Sequence, residues 1–115
     1  MPGVRHLAPH ETDQRSEAPD VILTSLEFEW DESKAAANLS KHGVSFDEAK
    51  TVFDDTLYVD FYDPDHSYDE HRYIIVGQSR RGRLLIVSYT ERENVIRLIS
   101  ARETTRGERE AYEGG

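Results

Sequence analysis

The regular alternation of apolar and polar residues starts after residue 25. Leu26, Phe28 and Trp30 alternate with two glutamates, which predicts a strand with one buried face. The first 20 residues contain three prolines, scattered charges and no apolar period. We therefore expect residues 1–25 to form a flexible N-terminal extension and residues 26–115 to form a single domain.

Two short helices are predicted directly after this strand. Asp31 can cap the first helix, which runs through three alanines to His42 and stops at Gly43 in a left-handed conformation. Ser45 and Glu48 have the spacing of a capping box, in which each side chain accepts a hydrogen bond from the backbone amide of the other. The second helix is expected to end near residue 54.

The rest of the chain has the pattern of an antiparallel meander followed by a helix. Runs of β-branched and aromatic residues, separated by polar turns, predict strands at 57–61, 73–78, 84–89 and 95–100. A short C-terminal helix is expected to start after Thr104 and to end near Tyr112. This order of elements predicts an α+β fold in which two N-terminal helices cover an antiparallel β-sheet.

Composition limits the class of protein. The 115 residues carry a net charge of -9, with 37% hydrophobic residues, 32% charged residues and no cysteine. The missing cysteines exclude a disulfide scaffold, a cysteine nucleophile and a thiolate metal site. No apolar run approaches the roughly 18 residues of a membrane span, and the N-terminus lacks the apolar core of a signal peptide. We expect a small soluble protein of the cytoplasm.

The negative charge is unevenly distributed along the chain. Residues 26–71 hold three lysines against thirteen acids, a net charge of -10. Residues 72–109 hold nine arginines against four glutamates, a net charge of +5. Arginine is suited to bidentate phosphate contacts, so this segment is a candidate nucleic-acid surface. The alternative is that the arginines pair with the acidic residues and leave no free positive field.

Several common catalytic motifs are absent from the sequence. It contains no glycine-rich phosphate loop, no His-Glu-x-x-His zinc motif and no Gly-x-Ser-x-Gly nucleophile elbow. The densest set of metal-ligand types does not match the spacing of a calcium loop and is typical of a solvated turn; it comprises Asp63, Asp65, His66, Asp69 and His71. A metal-dependent phosphodiesterase that uses Asp63, Asp65 and His66 is therefore the least favoured hypothesis.

His42 and four arginines are the strongest candidates for chemistry. His42 can transfer protons near neutral pH, although a cation at a helix end also simply complements the helix dipole. Arg97 lies within a predicted strand, Arg72 begins another, and Arg102 and Arg106 lead into the last helix. Arginines that converge on a sheet would bind phosphate. The alternative is that they lie flat over their neighbours with their charged ends in solvent.

Three short sequence motifs resemble those of the BrnT toxin family. They are FEWD at 28–31, KHGVSF at 41–46 and RLISAR at 97–102, and they stand in the family's order and spacing. The resemblance covers about residues 27–112. It implies a RelE-like fold and a toxin of a type II toxin–antitoxin pair, which acts as a ribonuclease and blocks translation.

The resemblance also implies the partners of the protein. They are an RNA substrate and a BrnA-like antitoxin with a ribbon-helix-helix part, so operator DNA would be bound only through the antitoxin. A dimer in the complex is compatible with this arrangement, and no membrane is involved. The cleavage would need neither a metal ion nor another cofactor. A catalytically inactive family member that acts as a protein-interaction or co-repressor module is the alternative, which the net charge of -9 favours.

Carried over residue by residue, the resemblance implies two groups of site residues. Catalytic roles fall to His42, as base or acid, and to three arginines that would stabilise the charge of the phosphorane, Arg72, Arg97 and Arg102. RNA contacts fall to Lys41 and Tyr112. We add Arg106 as an RNA contact from the sequence pattern, because it lies four residues after Arg102 and would share a helix face with it. Because antitoxins of this kind often cover a toxin's basic groove, we expect the arginine side to meet the antitoxin.

Overall fold

The predicted succession of strands and helices is present in a computed structural model, which describes residues 26–66 and 70–114. Within these residues the helices are α1 at Glu32–His42, α2 at Phe46–Ala49 and α3 at Arg106–Gly114, with 3₁₀ helices at Lys50–Asp54 and Pro64–His66. The strands are β1 at Glu27–Glu29, β2 at Val59–Tyr62, β3 at Tyr73–Gln78, β4 at Leu84–Arg92 and β5 at Val95–Glu103. The extension expected at residues 1–25 lies outside the described residues. No helix in the described part of the chain is long and apolar enough to cross a membrane.

The five strands of the described chain form one sheet in the order β1-β5-β4-β3-β2. The strands β2 to β5 pair with one another in antiparallel fashion, as the spacing of the apolar runs predicts. The first strand pairs with β5 in parallel, with Phe28 opposite Ile96. The expectation of a wholly antiparallel sheet is therefore wrong at this edge. A parallel neighbour needs a long crossover connection, which the chain between Glu29 and Val95 supplies.

α1 begins and ends where the sequence places its caps. The Asp31 carboxylate accepts hydrogen bonds from the backbone amides of Ser33, at 2.8 Å, and Lys34, at 3.4 Å. Gly43 follows the helix with a φ of 71°, and its amide donates to the Leu39 carbonyl. Glycine adopts this left-handed conformation without a steric cost, so the helix stops here.

The capping box predicted at the start of α2 is only half formed. The Ser45 hydroxyl accepts a hydrogen bond from the Glu48 amide at 3.0 Å, as expected. The Glu48 side chain is instead buried against Ser79 and Arg83, more than thirty residues away in sequence. The Glu48 carboxylate therefore binds Arg83 and not the backbone amide of Ser45, because hydrogen bonds between charged groups are stronger than those to a neutral donor.

The core lies between one face of the sheet and the helical segments that precede β2. Its buried members are Val44, Phe46, Ala49 and Val52 from the helical side and Ile75, Leu85, Val87, Tyr89, Ile96, Leu98 and Ala101 from the sheet. Phe53 connects the first strand to this core, since its ring lies 5.2 Å from Phe28 and 5.1 Å from Tyr89. We call the opposite side of the sheet the outer face.

α3 is attached to the rest of the domain by polar contacts at both ends. Thr105 and Glu108 form a complete capping box, with the Thr105 amide donating to Glu108 at 2.8 Å and the Glu108 amide donating to the Thr105 hydroxyl at 3.2 Å. Near the other end, the Tyr112 hydroxyl donates to the Leu57 carbonyl at 2.9 Å. The helix therefore runs from the end of β5 to the segment before β2, and none of its residues is buried.

Candidate functional site

A β-bulge brings Arg97 and Arg102 to the same side of the sheet. These residues are five positions apart, so a regular strand would direct them to opposite faces. Tyr89 of β4 pairs with Leu98, whereas the preceding Ser88 pairs with Ser100, so β5 contains one extra residue between them. Leu98 and Ala101 are consequently both buried in the core, and the two arginines both belong to the outer face.

A groove of about 320 Å³ lies on the outer face beside two of the predicted arginines. Its floor is apolar and is formed by isoleucines of three adjacent strands, and two serines add hydroxyl groups. The lining residues are Asp63, Arg72, Ile74, Ile86, Ser88, Ile99, Ser100 and Arg102. We call it the arginine groove. Its charged lining residues sum to +1, which favours a ligand with a phosphate group.

Glu108, in the first turn of α3, binds the Arg102 side chain beside this groove. The Arg102 guanidinium donates two parallel hydrogen bonds to the Glu108 carboxylate, at 2.9 and 3.0 Å. These hydrogen bonds, followed by the one from the Thr105 amide, lower the pKa of Glu108 to about 2. A planar bidentate pair holds the guanidinium in one orientation, so Arg102 is fixed in place but its charge is largely compensated.

A larger groove of about 700 Å³ lies at the end of the β4–β5 hairpin. It is lined by Glu29, Glu70, His71, Tyr73, Thr90, Glu91, Arg92, Glu93, Val95 and Arg97. We call it the hairpin groove. Four glutamates and two arginines give it a net charge of -2 with a neutral histidine. Since Arg97 is also paired with Glu29 at 3.2 Å, this groove is electrostatically less suited to a phosphate than the arginine groove.

His71 lines the hairpin groove. Its Nδ1 lies 3.2 Å from the hydroxyl of Tyr62, and the two rings are in tilted contact at 5.5 Å. His71 directly precedes Arg72 in sequence, but His71 lines the hairpin groove and Arg72 lines the arginine groove. The sequence singled out His71 only as a member of the candidate metal-ligand set.

The positive segment of the sequence does not form a free positive surface. Seven of its nine arginines lie within ion-pair distance of a carboxylate in the described chain; they are Arg80, Arg81, Arg83, Arg97, Arg102, Arg106 and Arg109. Several of these pairs are local, such as Arg106 with Glu110 and Arg109 with Glu113 on α3. The structure therefore favours the interpretation that the arginines are paired.

Two buried polar side chains that the sequence analysis did not name as site residues connect separate elements of the domain. The Asn38 amide donates to the carbonyls of Val44, at 2.9 Å, and Ala101, at 2.8 Å, and accepts from the Ala101 amide at 3.0 Å. It thereby fastens α1 to β5 one residue before Arg102. The second is Glu48, whose pKa is lowered chiefly by the hydrogen bonds from Arg83.

Comparison with known proteins decides the family of the chain. The family model described as the ribonuclease toxin BrnT of a type II toxin–antitoxin system matches residues 30–108. The chain belongs to the BrnT family. The resemblance found in the three sequence motifs is confirmed, and membership of a type II toxin–antitoxin family implies an antitoxin partner.

A solved structure supports the fold. The crystal structure of the Brucella abortus ribonuclease toxin BrnT, at 1.1 Å resolution, is similar to this chain with a TM-score of 0.53 and 19% sequence identity. The alignment covers 71% of this chain and 100% of that chain. At this identity the likeness concerns the fold, and the predicted α+β class is confirmed. None of the curated proteins compared with the chain matches it.

The residues carried over from the BrnT resemblance do not all come together. Arg72 and Arg102 share the arginine groove, and Arg97 lines the hairpin groove. Lys41 and His42 lie in the last turn of α1 and line neither groove. The structure thus does not group His42 with the arginines of these two grooves, because α1 packs against the core side of the sheet, whereas the arginine groove lies on the outer face.

The remaining two RNA-contact candidates of this BrnT-family chain both belong to α3. Arg106 is exposed and lies 3.7 Å from Glu110. Tyr112 is half-buried, its hydroxyl is used in the hydrogen bond to Leu57, and burial is the main cause that raises its pKa. Among residues 26–66 and 70–114 there is no group of three or more acidic or histidine side chains placed to hold a metal ion. Asp69 of the candidate metal set lies outside the described residues.

Proposed function

We propose that this BrnT-family chain is an endoribonuclease that cleaves RNA without a metal ion and so inhibits translation, on a RelE-like fold. The observation that carries the proposal is the arginine groove, in which Arg72 and Arg102 lie beside two hydroxyl groups over an apolar floor. Guanidinium groups bind the non-bridging phosphate oxygens, and an apolar floor accepts the face of a base. The groove therefore suits a nucleotide with its 3′-phosphate.

The reaction needs only groups that a protein can supply. The 2′-hydroxyl of the RNA forms a bond to the adjacent phosphorus, and the bond from phosphorus to the 5′-oxygen of the next nucleotide breaks. A base takes the proton of the 2′-hydroxyl, and an acid gives a proton to the leaving 5′-oxygen. Arg72 and Arg102 would stabilise the negative charge that develops on the phosphorane, since charge placed in advance costs no reorganisation.

Two histidines are candidates for the proton transfer. His42 is the residue that the family resemblance implies, and Lys41 beside it would contact the RNA backbone. His71 is the alternative, because it lines the hairpin groove, lies 3.2 Å from the Tyr62 hydroxyl and directly precedes Arg72 in sequence. A group that transfers the proton must come within hydrogen-bond reach of it. Neither histidine lines the arginine groove, so variants of both are compared in the test below.

The partner that we propose is a BrnA-like antitoxin with a ribbon-helix-helix part. It would neutralise the toxin in the cytoplasm, cover the arginine side and carry the complex, with a toxin dimer, to operator DNA. The net charge of -9 supports this division of labour, because an acidic toxin gains little direct affinity for DNA.

Cleavage of a defined RNA by antitoxin-free protein in the presence of EDTA tests the proposal. We expect products with 2′,3′-cyclic ends, and a loss of about a hundredfold or more in rate for Arg72→Ala and Arg102→Ala. Arg80→Ala is the matched control, since Arg80 is an exposed arginine that lines neither groove. His42→Ala and His71→Ala, measured side by side, identify the proton-transfer residue.

A non-catalytic co-repressor module is the second candidate function. The observation that favours it is that Arg97 and Arg102 are already paired, with Glu29 and Glu108. If the folded protein cleaves neither free RNA nor RNA on translating ribosomes, the enzyme proposal is wrong and this alternative takes its place. A second result against the enzyme would be cleavage that Arg72→Ala and Arg102→Ala leave unchanged.

A further inference from the structure

The Arg102 side chain at the arginine groove uses only part of its hydrogen-bonding capacity. A guanidinium carries five N–H donors in one plane. Nη1 of Arg102 donates to the Glu103 carbonyl at 3.2 Å and to Glu108 Oε1 at 2.9 Å, and Nη2 donates to Glu108 Oε2 at 3.0 Å. Two donors therefore have no partner among residues 26–66 and 70–114, namely the N–H of Nε and the second N–H of Nη2.

These two donors lie side by side on one edge of the guanidinium. Glu108 occupies the end of the plane, between Nη1 and Nη2, whereas Nε–H and the second N–H of Nη2 point in the same direction along its side. The side edge can form a second pair of parallel hydrogen bonds, as guanidinium groups do with carboxylates and phosphates. Arg102 lines the arginine groove and its side chain is 40% exposed, so a ligand in that groove can reach this edge.

The Glu108 carboxylate is itself held by the backbone. Its Oε1 accepts a hydrogen bond from the Thr105 amide at 2.8 Å, so the capping box of α3 fixes the carboxylate and the carboxylate fixes the guanidinium. The hydrogen bonds from Arg102, followed by the one from Thr105, lower the pKa of Glu108 to about 2. A carboxylate with this pKa is ionised at neutral pH and accepts a proton poorly. Its place beside the groove therefore favours a positioning role over that of a general base.

We propose that Glu108 is a positioning residue, which holds Arg102 by the end of its guanidinium so that the side edge receives a phosphate of the RNA. The phosphate then shares Arg102 with Glu108 and does not displace it. This inference rests on the proposed ribonuclease function. Nε–H and Nη2–H would donate to non-bridging oxygens, whose negative charge grows in the phosphorane, and a guanidinium that cannot turn keeps both donors aligned with them.

Steady-state RNA cleavage by the full chain separates positioning from a structural role. Glu108→Gln keeps the length of the side chain and an acceptor for the cap of α3, but it loses one hydrogen bond from Arg102. We expect kcat to fall at least about tenfold, because the guanidinium can turn, while KM does not rise, because the compensating charge is gone. In an Arg102→Ala background the same substitution should leave kcat unchanged, since its effect passes through Arg102.

Glu113→Gln is the matched control. Glu113 is also a glutamate of α3 that pairs with an arginine, since it lies 3.0 Å from Arg109, but neither residue lines the arginine groove or the hairpin groove. Its variant should cleave RNA with the kcat and KM of the wild type.

A second measurement needs no catalysis. The probe is an RNA oligonucleotide with fluorine in place of each 2′-hydroxyl, which this reaction cannot cleave, and it is titrated into ¹⁵N-labelled protein. The Nε–H signal of Arg102, identified by its absence in Arg102→Lys, should shift as the probe is added. The Nε–H signal of Arg83 should stay in place, because that nitrogen already donates to Glu48 at 3.0 Å.

Three results would overturn the inference. One is cleavage by Glu108→Gln at the wild-type rate. The second is an equal fall in kcat for Glu108→Gln with and without the Arg102 side chain, which would limit Glu108 to stabilising α3. The third is an Arg102 Nε–H signal that does not shift at a high probe concentration; if cleavage persists, the proposed function then stands without this inference. Conversely, a shifted signal in a protein that cleaves no RNA keeps the phosphate contact and shows that the ribonuclease proposal is wrong.

Discussion

The buried carboxylate of Glu48 gives the sharpest test of what stabilises this domain. Its side chain is 4% exposed and accepts hydrogen bonds from the Ser79 hydroxyl at 2.7 Å, from Arg83 Nε at 3.0 Å and from a second nitrogen of Arg83. Glu48→Gln keeps the shape of the side chain but replaces one acceptor oxygen with an amide that donates. One donor of Arg83 would then face another donor in a buried site.

The loss of stability caused by Glu48→Gln depends on which hydrogen bonds Arg83 keeps. Removing one partner of a buried ion pair typically costs about 3–5 kcal/mol, because the other charge is left without compensation. The Arg83 side chain is 24% exposed and keeps its hydrogen bonds to Glu103, at 2.9 Å, and to the Gly43 carbonyl, at 3.0 Å. We therefore expect a loss of about 2 kcal/mol, below that range. For a domain of this size it corresponds to a fall in Tm of roughly 8–16 °C.

The measurement is urea unfolding of the wild type, Glu48→Gln and Glu103→Gln over a range of pH. Glu103 binds the same arginine but is 54% exposed, so its variant should lose only about 0.5 kcal/mol. The pKa of Glu48 is lowered in the folded state from its usual value of 4.5. Its stabilising contribution is therefore complete above pH 4.5 and is lost as the pH falls through the lower folded value.

The difference in free energy of unfolding between the wild type and Glu48→Gln should accordingly be constant near neutral pH and become smaller in acid. Two results would refute this reasoning. One is a Glu48→Gln protein as stable as the wild type at pH 7. The other is an equal loss of unfolding free energy for Glu103→Gln, which would mean that burial of the carboxylate does not determine the size of the loss.

Four further predictions follow from single contacts. Asn38→Asp should cost about 3 kcal/mol at neutral pH, because the new carboxylate would face the carbonyls of Val44 and Ala101, and the loss should lessen in acid as measured by urea unfolding. Gly77→Ala should lower the free energy of unfolding by about 1–3 kcal/mol, since the new Cβ would lie 3.0 Å from Val52 and 3.1 Å from Tyr58. Its control is Gly107→Ala, which should raise Tm slightly, because Gly107 is in a helix and a Cβ there would meet no atom within 4 Å. Glu108→Gln keeps the cap of α3 but removes the charge that pairs with Arg102, so RNA affinity in anisotropy measurements should rise by up to about fivefold, whereas an unchanged affinity would show that Arg102 does not contact RNA. If only Arg72 and Arg102 contact phosphates, the logarithm of RNA affinity should fall with the logarithm of salt concentration with a slope of about -1.4, and a much steeper slope would indicate a wider basic surface.

The local parts of the fold could be predicted from the sequence because their causes are local. The cap at Asp31, the stop at Gly43 and the limits of β3 all depend on neighbouring residues, and the structure has them where the pattern places them. The parallel pairing of β1 with β5 could not be predicted in this way. It joins residues nearly seventy positions apart, and the alternation at Leu26, Phe28 and Trp30 indicates a strand without indicating its neighbour. The bulge in β5 could not be predicted either. The sequence from Arg97 to Arg102 has the composition of a regular strand, and the extra residue becomes apparent only from the pairing with β4.

The candidate site was harder to predict because charge along a sequence is not charge in space. The sum of +5 over residues 72–109 suggested a basic surface, yet a bidentate pair at the arginine groove joins Arg102 to Glu108 within that same segment. A carboxylate held in this way positions the guanidinium as well as compensating it, which is how a site can orient a cation without a large positive field. An RNA phosphate would have to compete with Glu108 for Arg102, or share it. The acidity of the chain and a ribonuclease activity are therefore compatible if the toxin depends on placing two arginines accurately and not on attracting RNA from a distance.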